Sequence, residues 1–199
     1  MKPLGGDRYQ IGAVVVDKGA RRFSVPARVL VLGKPLEYLA TAPGGMKAYE
    51  TLLEVDTTGS EFNLACILIG LERDPKLGPV NRNNQTPLPG RRIALSIAWS
   101  DGGKRRQISA AEAILNPEAG VKPDAVEWVY TGAVPSDPSA GFVPDLTGTL
   151  IGFVHDPNCI IDSVVGVGVG AYGTVRGSSL MPPVGSAVEL IVDAAPVAK

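Results

Sequence analysis

Short runs rich in valine and isoleucine alternate along this chain with clusters of glycine, proline and polar residues. Runs of about four to eight such residues, bounded by turn formers, are typical of β-strands. Strands are therefore predicted over residues 9–16, 23–32, 36–42, 47–54, 92–99, 125–130, 150–155 and 187–192, with one more strand after the turn at 101–103. Residues 92–99 show the clearest alternation of apolar and small polar positions, which predicts a half-buried strand.

Segments 36–42 and 47–54 flank Pro43-Gly44-Gly45, which is typical of a hairpin with a short glycine turn. Antiparallel pairing would place Tyr38 opposite Glu50. Lys47 and Glu50 are three residues apart, and this offset puts them on opposite faces of a regular strand unless the strand bulges. An apolar set shares the face of Glu50, so we expect that carboxylate to be buried and paired, with Tyr38 or Lys47 as donor.

Helical spacing is convincing over about 60–69, where Phe62, Ala65, Cys66 and Ile69 recur and Ser60 can act as N-cap. The Ser109-x-x-Glu112 spacing of a capping box predicts a short helix over about 110–115. The order of elements mixes hairpins with one principal helix. We therefore predict an α+β fold with a mainly antiparallel sheet.

The chain has 199 residues, 45% of them apolar and 20% charged, and it shows no internal repeat and no linker. These values predict a single domain over residues 1–199. The net charge of −1 is too even to favour a nucleic-acid partner or an anionic membrane. The longest apolar run, over 64–71, is too short to span a bilayer.

Cys66, Cys159 and His155 are the chain's entire set of cysteines and histidines. Structural zinc and iron–sulfur centres need about four thiolate or imidazole ligands, so we expect no metal and no cofactor. Both thiols are predicted to be buried. A disulfide between them stays an open alternative, because it depends on a distance that the sequence does not contain.

The segment Gly168 to Gly173 matches the G-x-G-x-x-G pattern of nucleotide-binding loops. That pattern binds phosphate only where a helix opens inside it. Arg176-Gly177-Ser178-Ser179 and two prolines follow, so no helix can begin there. We interpret the segment as a glycine loop without nucleotide.

Four polar residues remain as candidates for a ligand site: Glu37, Lys47, Glu50 and His155. The first three lie on the two strands of the predicted hairpin, where cross-strand charge pairs on a solvated face are the plainer interpretation. His155 precedes Asp156-Pro157-Asn158, a turn sequence typical of the surface, so an ordinary exposed histidine is favoured over a catalytic one.

Several short motifs occur in a fixed order along the chain. They are Glu37-Tyr38, the segment from Gly44-Gly45 through Lys47 to Tyr49-Glu50, Trp128-Val129-Tyr130-Thr131-Gly132 and Pro183-Val184-Gly185-Ser186. In this combination the chain resembles the YdjY-like domain family over about residues 10–192. The family's recurrent polar positions match Glu37, Lys47 and Glu50.

The resemblance implies a bacterial, mostly exported domain without an established activity, and hence a periplasmic or extracellular location. Some members carry a ferredoxin-type label, from which this chain departs because two cysteines cannot hold a cluster. We expect a binding or accessory module, with a protein partner and a small ligand both open. The alternatives are a cofactor-free enzyme using Lys47 or Glu50 and a structural subunit of a larger assembly.

Overall fold

The computed structural model describes residues 1–82, 86–115, 126–133, 139, 141–166 and 175–194. Within these ranges the chain is dominated by β-strands. The strands are β1 (Lys2–Gly5), β2 (Arg8–Ile11), β3 (Val14–Asp17), β4 (Arg22–Val29), β5 (Tyr38–Thr41), β6 (Thr51–Val55), β7 (Arg92–Asp101), β8 (Lys104–Ser109), β9 (Ile114–Leu115), β10 (Trp128–Tyr130), β11 (Thr149–Gly152), β12 (Ile161–Ser163), β13 (Arg176–Gly177) and β14 (Ala187–Asp193). The helices are α1 (Gly59–Leu68), α2 (Val143–Thr147) and one 3₁₀ turn, Ala48–Glu50.

Eight strands close into a barrel. Their order is β4-β14-β7-β10-β12-β11-β5-β6, and β6 pairs back onto β4. Strands β1 to β3 extend the sheet from β4, and β8 extends it from β7, which makes twelve strands in one sheet. Strands β9 and β13 form a separate pair. Closure leaves the eight barrel strands without a free edge.

The α+β prediction is wrong, because the protein is a mainly β structure built on a closed barrel. The principal helix predicted over about 60–69 is α1, but its N-cap is Thr58, whose hydroxyl forms a capping box with Glu61. The short helix predicted over 110–115 does not form. Ser109 and Glu112 make the reciprocal bonds of a capping box, but the chain then enters β9, which pairs with β13.

The hairpin predicted from 36–42 and 47–54 is also wrong, because β5 and β6 run parallel, with Tyr38 beside Thr51. Residues 42–50 do not turn tightly. They return to the start of β5 through the 3₁₀ turn, and β6 then lies between β5 and β4. Strands β11 and β12 are parallel in the same way, joined by residues 153–160. We call 42–50 and 153–160 the first and second crossovers.

The barrel consists of two halves with the same topology. Strands β4, β5, β6 and β7 correspond in order to β10, β11, β12 and β14. Six of the eight barrel pairings exchange with a pairing of the same sense, parallel or antiparallel, and the pairings β5–β11 and β7–β14 map onto themselves. The hydrogen bond from Ala42 N to Gly148 O corresponds to that from Phe153 N to Glu37 O, at a constant offset of 111 residues. The chain is therefore pseudo-twofold symmetric, although its sequence shows no repeat.

Packing of α1 onto the barrel completes one large core. Phe62 of α1 meets Phe23 of β4 edge to face, with ring centroids 5.2 Å apart. Strands β5, β10, β11 and β12 are buried along their whole length. Helices α1 and α2 contact β11, and Leu77 and Leu88 pack in a second apolar cluster with Val129 of β10. This burial on both faces explains why these strands show no alternation in the sequence.

Candidate functional site

Lys47 and Glu50 form an ion pair in the first crossover, with 2.6 Å between Nζ and Oε1. The 3₁₀ turn Ala48–Glu50 brings the two side chains to the same side, which a strand could not do. Lys47 Nζ also donates to the hydroxyl of Tyr49 at 3.2 Å. Glu50 is buried, as its apolar neighbours in the sequence indicated, and its donor is Lys47.

The hydrogen bond to Glu50 raises the pKa of Lys47 above its ordinary value, and burial opposes this effect only in part. Lys47 therefore keeps its proton at neutral pH and is a poor general base or nucleophile. A backbone hydrogen bond from Glu37 N to Glu50 O, at 2.9 Å, joins this end of the first crossover to the residue before β5.

A buried group of polar side chains lies between the start of β5 and the second crossover. It contains Tyr38, Asp156, Cys159 and Asp162, which we call the polar cluster. The Tyr38 hydroxyl donates to Asp156 Oδ2 at 2.5 Å, and Asp156 N donates to Asp162 Oδ2 at 3.2 Å. A Cβ at Gly152 would lie 2.9 Å from both the Cys159 Sγ and Asp162 Oδ1, so only glycine allows this approach.

Burial is the main cause of altered acidity in the polar cluster. It raises the pKa of Asp162 well above the ordinary value, and the charge of Asp156 adds to the shift. Burial also raises the pKa of the Cys159 thiol. Burial thus favours the neutral acid form of Asp162 and the protonated, unreactive thiol of Cys159. Cys159 and Cys66 are both buried and free, which excludes a disulfide between them.

Two buried carboxylate oxygens, Glu37 Oε1 and Asp162 Oδ1, accept no hydrogen bond from any described residue. The other oxygen of Glu37 forms an ion pair with Arg82. Sequence patterns pointed to Glu37 but not to Asp162. Its signal was a carboxylate within the apolar run from Cys159 to Val165.

His155 lies in the second crossover and is fully buried, so the prediction of an exposed turn histidine is wrong. Its Nε2 is 2.9 Å from the carbonyl oxygen of Ser163, and its backbone is left-handed, with φ of 44°. That conformation is costly for any residue with a Cβ, and such strain persists only where surrounding contacts enforce it.

In the described structure the four predicted site residues take part in three separate polar contacts. Lys47 and Glu50 pair with each other, Glu37 pairs with Arg82, and His155 contacts Ser163. The Gly168–Gly173 motif lies outside the described residues. Among the residues described, no three His, Cys, Asp or Glu side chains are grouped as a metal site would require, and no helix is long and apolar enough to cross a membrane.

An open cleft of about 600 Å³ lies at the other end of the first crossover. Its walls are the loop 42–45, the first turn of α1 with residues 56–58, helix α2 with 147–148, and Gly12-Ala13. Gly148 has a φ of 75°, and a Cβ there would lie 2.5 Å from the Cα of Gly45. The backbones of the two loops are therefore in close contact at Gly45 and Gly148, which both line the cleft, and we call this contact its floor.

Carboxylates dominate the polar lining of this cleft. Asp56, Glu61 and Asp145 contribute acidic groups, and none of its described lining residues is Lys, Arg or His. Glu61 Oε2 accepts from Thr58 N, and Asp145 accepts from both the backbone N–H and the hydroxyl of Ser60. Glu61 and Asp145 are thus held in fixed positions by the start of α1, whereas Asp56 is exposed.

Exposed apolar side chains border the cleft. Leu146 of α2 lines it and is 68% exposed, and Met46, which follows the loop 42–45, is 69% exposed. Met46 N donates to Thr147 O at 2.8 Å, so the two side chains belong to adjoining segments. An acidic cleft with an apolar rim can bind a cationic group and an apolar group at the same time.

Comparison with known proteins identifies one family. The model of the YdjY domain matches residues 14–193. The chain belongs to the YdjY domain family. No established function is attached to that domain, and no curated protein or solved structure matches the chain. The resemblance predicted from the sequence motifs is confirmed, and the cleft and the polar cluster both lie within or beside the matched region.

Proposed function

We propose that this YdjY domain is a binding module whose ligand carries a positive charge and occupies the cleft beside the loop 42–45. The observation that carries the proposal is an open cleft of about 600 Å³ whose charged lining groups are all carboxylates. Cavities of roughly 300–1,000 Å³ are the usual size of ligand sites. Two of the carboxylates, Glu61 and Asp145, are fixed by hydrogen bonds before any ligand arrives, which lowers the entropic cost of binding.

A binding role is favoured over the enzyme considered from the sequence. An enzyme based on Lys47 or Glu50 would need one of them to exchange a proton with a substrate. Lys47 is held in its charged form by Glu50, and neither residue lines the cleft. The proposal therefore assigns the Lys47–Glu50 pair to holding the first crossover in place.

The same proposal places the module outside the cytoplasm, as an accessory domain. The support for this location is the family resemblance, which implies a mostly exported domain. Fractionation of a bacterium that expresses the native gene tests this part, since recovery of the protein in the cytoplasm alone would contradict it.

Titration with spermidine, a linear polyamine without apolar side chains, tests the cleft itself. Backbone amide signals in NMR spectra should shift saturably at Gly44, Gly45 and Gly148. Raising the salt concentration should weaken binding, because exposed charges are screened. Asp56→Asn should weaken binding about threefold, as expected for loss of one exposed charge contact.

Glu72→Gln provides the matched control, since Glu72 is an exposed carboxylate that does not line the cleft. Its affinity for spermidine should equal that of the unaltered protein. Shifts scattered over the acidic surface, or equal effects of Asp56→Asn and Glu72→Gln, would overturn the proposed site.

A further inference from the structure

We infer that the ligand of this cleft is an extended polypeptide segment in which basic residues alternate with aliphatic ones. The inference rests on the proposed function and specifies the class of ligand. It is carried by three features of the same surface: a second pocket that continues the cleft, the distribution of charge, and the exposed apolar rim.

A pocket of about 240 Å³ lies next to the cleft, and Pro43 and Asp56 form walls of both. Arg28 and Glu54 also line the second pocket, and their side chains form an ion pair with 2.7 Å between Nη2 and Oε1. The two pockets together form one groove that passes the loop 42–45. A groove of this kind suits a linear molecule rather than a compact one.

Charge changes along the groove in a definite order. The charged groups that line the larger pocket are all carboxylates, and Asp56 continues the negative charge into the smaller one. Beyond Asp56, Glu54 is neutralised by Arg28. A ligand that fills the groove therefore needs cationic groups over the larger pocket and a less charged part at the end near Arg28. This distribution disfavours nucleic acids, whose phosphates would face the carboxylates.

Apolar groups lie beside the charged ones. Leu146 and Met46 expose most of their surface at the rim, and Pro43 and Pro144 line the cleft. A polyamine has no apolar side chains that could cover these groups. A polypeptide in extended form presents successive side chains on opposite sides, so lysine or arginine can reach the carboxylates while aliphatic residues cover the rim.

Fluorescently labelled peptides test the inference by anisotropy. The probes are acetylated, amidated peptides of eight residues in which lysine alternates with leucine, lysine with serine, or glutamate with leucine, together with a four-residue lysine–leucine peptide. Eight extended residues span about 26 Å and four about 13 Å. We expect the long lysine–leucine peptide to bind at least tenfold more tightly than the short one and the lysine–serine peptide, and the glutamate–leucine peptide not to bind.

Two pairs of variants assign the effect to the groove. Asp56→Asn should weaken the long lysine–leucine peptide about threefold to fivefold, with Glu72→Gln as the unaffected control. Leu146→Ser should remove most of the advantage of leucine over serine in the peptide. Leu180→Ser, at a leucine that is 55% exposed and lines neither pocket, should leave that advantage intact.

The outcomes separate this inference from the proposed function. If spermidine binds in the cleft but peptide affinity depends neither on length nor on leucine, the ligand is not a polypeptide and the cationic binding module remains. If neither spermidine nor any peptide binds at the cleft, both are overturned. Tight binding of the glutamate–leucine peptide would also refute the assignment, because it reverses the charge complementarity.

Discussion

Gly44 and His155 occupy equivalent positions in the two crossovers, 111 residues apart, and both have a left-handed backbone, with φ of 70° and 44°. Glycine adopts this conformation freely, whereas a residue with a Cβ pays about 1–2 kcal/mol. The second crossover thus carries a strained histidine where the first carries glycine. The side chain of His155 is fully buried against Ser163, and that contact compensates for the strain.

We predict that His155→Gly is less destabilising than His155→Ala by about 1 kcal/mol. Both variants lose the contact with Ser163 and leave a cavity, but only alanine keeps the backbone strain. Urea denaturation of the two variants measures the difference. The usual order, with glycine the more destabilising, would show that the left-handed conformation at residue 155 costs nothing.

Asp162 makes the stability of the protein depend on pH. Burial raises its pKa in the folded state, so the folded protein binds a proton that the unfolded chain releases above about pH 4. The stabilisation is complete below that pH and is lost as the pH rises toward the raised folded value. Asp162→Asn cannot ionise and keeps the shape of the neutral acid.

The expected result is that Asp162→Asn gains stability relative to the unaltered protein as the pH rises from 4 to 8. Taking the difference between the two proteins removes the contributions of Glu112 and Glu189, whose pKa values are lowered and whose effect on stability runs the opposite way. Urea midpoints at pH 4, 6 and 8 provide the measurement. A difference independent of pH would mean that Asp162 is ionised in the folded protein.

Sequence patterns predicted the elements whose burial is one-sided. Strands β7 and β14 lie where the valine- and isoleucine-rich runs at 92–99 and 187–192 placed them, and α1 follows its apolar spacing. Strands β5 and β11 are buried on both faces, so no alternation marks their orientation, and their parallel neighbours are chosen by contacts distant in sequence. The twofold repeat is visible only in those pairings.

At the candidate sites, too, local sequence patterns were predictive, whereas contacts between residues distant in sequence were not. The burial of Glu50 was predictable from its apolar neighbours, but its geometry with Lys47 depends on a 3₁₀ turn that the strand interpretation excluded. The cleft could not be predicted at all, since loop 42–45, α1 and α2 come together only through the closed barrel.

Glu50→Gln should lower the free energy of unfolding by about 1–3 kcal/mol, because it leaves the partly buried ammonium of Lys47 without its carboxylate. A double-mutant cycle with Lys47→Met should give a coupling energy of about 1 kcal/mol. Asp101→Asn breaks an exposed pair with Arg106 and should change stability by no more than about 0.5 kcal/mol. If Glu50→Gln left the free energy of unfolding unchanged, Glu50 would contribute no more to stability than a solvated surface residue.

The pH dependence of this pair has a definite sign. Because Glu50 raises the pKa of Lys47, the contribution of the pair is complete below the ordinary lysine pKa of about 10.4 and is lost as the pH rises above it. The coupling energy in the cycle should therefore be the same at pH 7 and pH 9. A coupling that disappears by pH 9 would contradict the raised pKa.

Gly148→Ala tests the close contact that forms the floor of the cleft. The added Cβ would adopt a strained conformation at φ of 75° and would also lie 2.5 Å from the Cα of Gly45, so the two loops must separate. Strain of about 1–2 kcal/mol and overpacking of about 1–3 kcal/mol should together cost about 2–5 kcal/mol. Gly44→Ala is the matched control, because its φ is 70° and no atom lies within 4 Å of its Cβ, so it carries the strain alone.

Gly148→Ala should also weaken spermidine binding measured by NMR, whereas Gly44→Ala should leave the floor of the cleft unchanged. Equal losses of stability in the two variants would show that the loops separate without cost. A cleft whose floor separates so easily could not keep its carboxylates in fixed positions for a ligand.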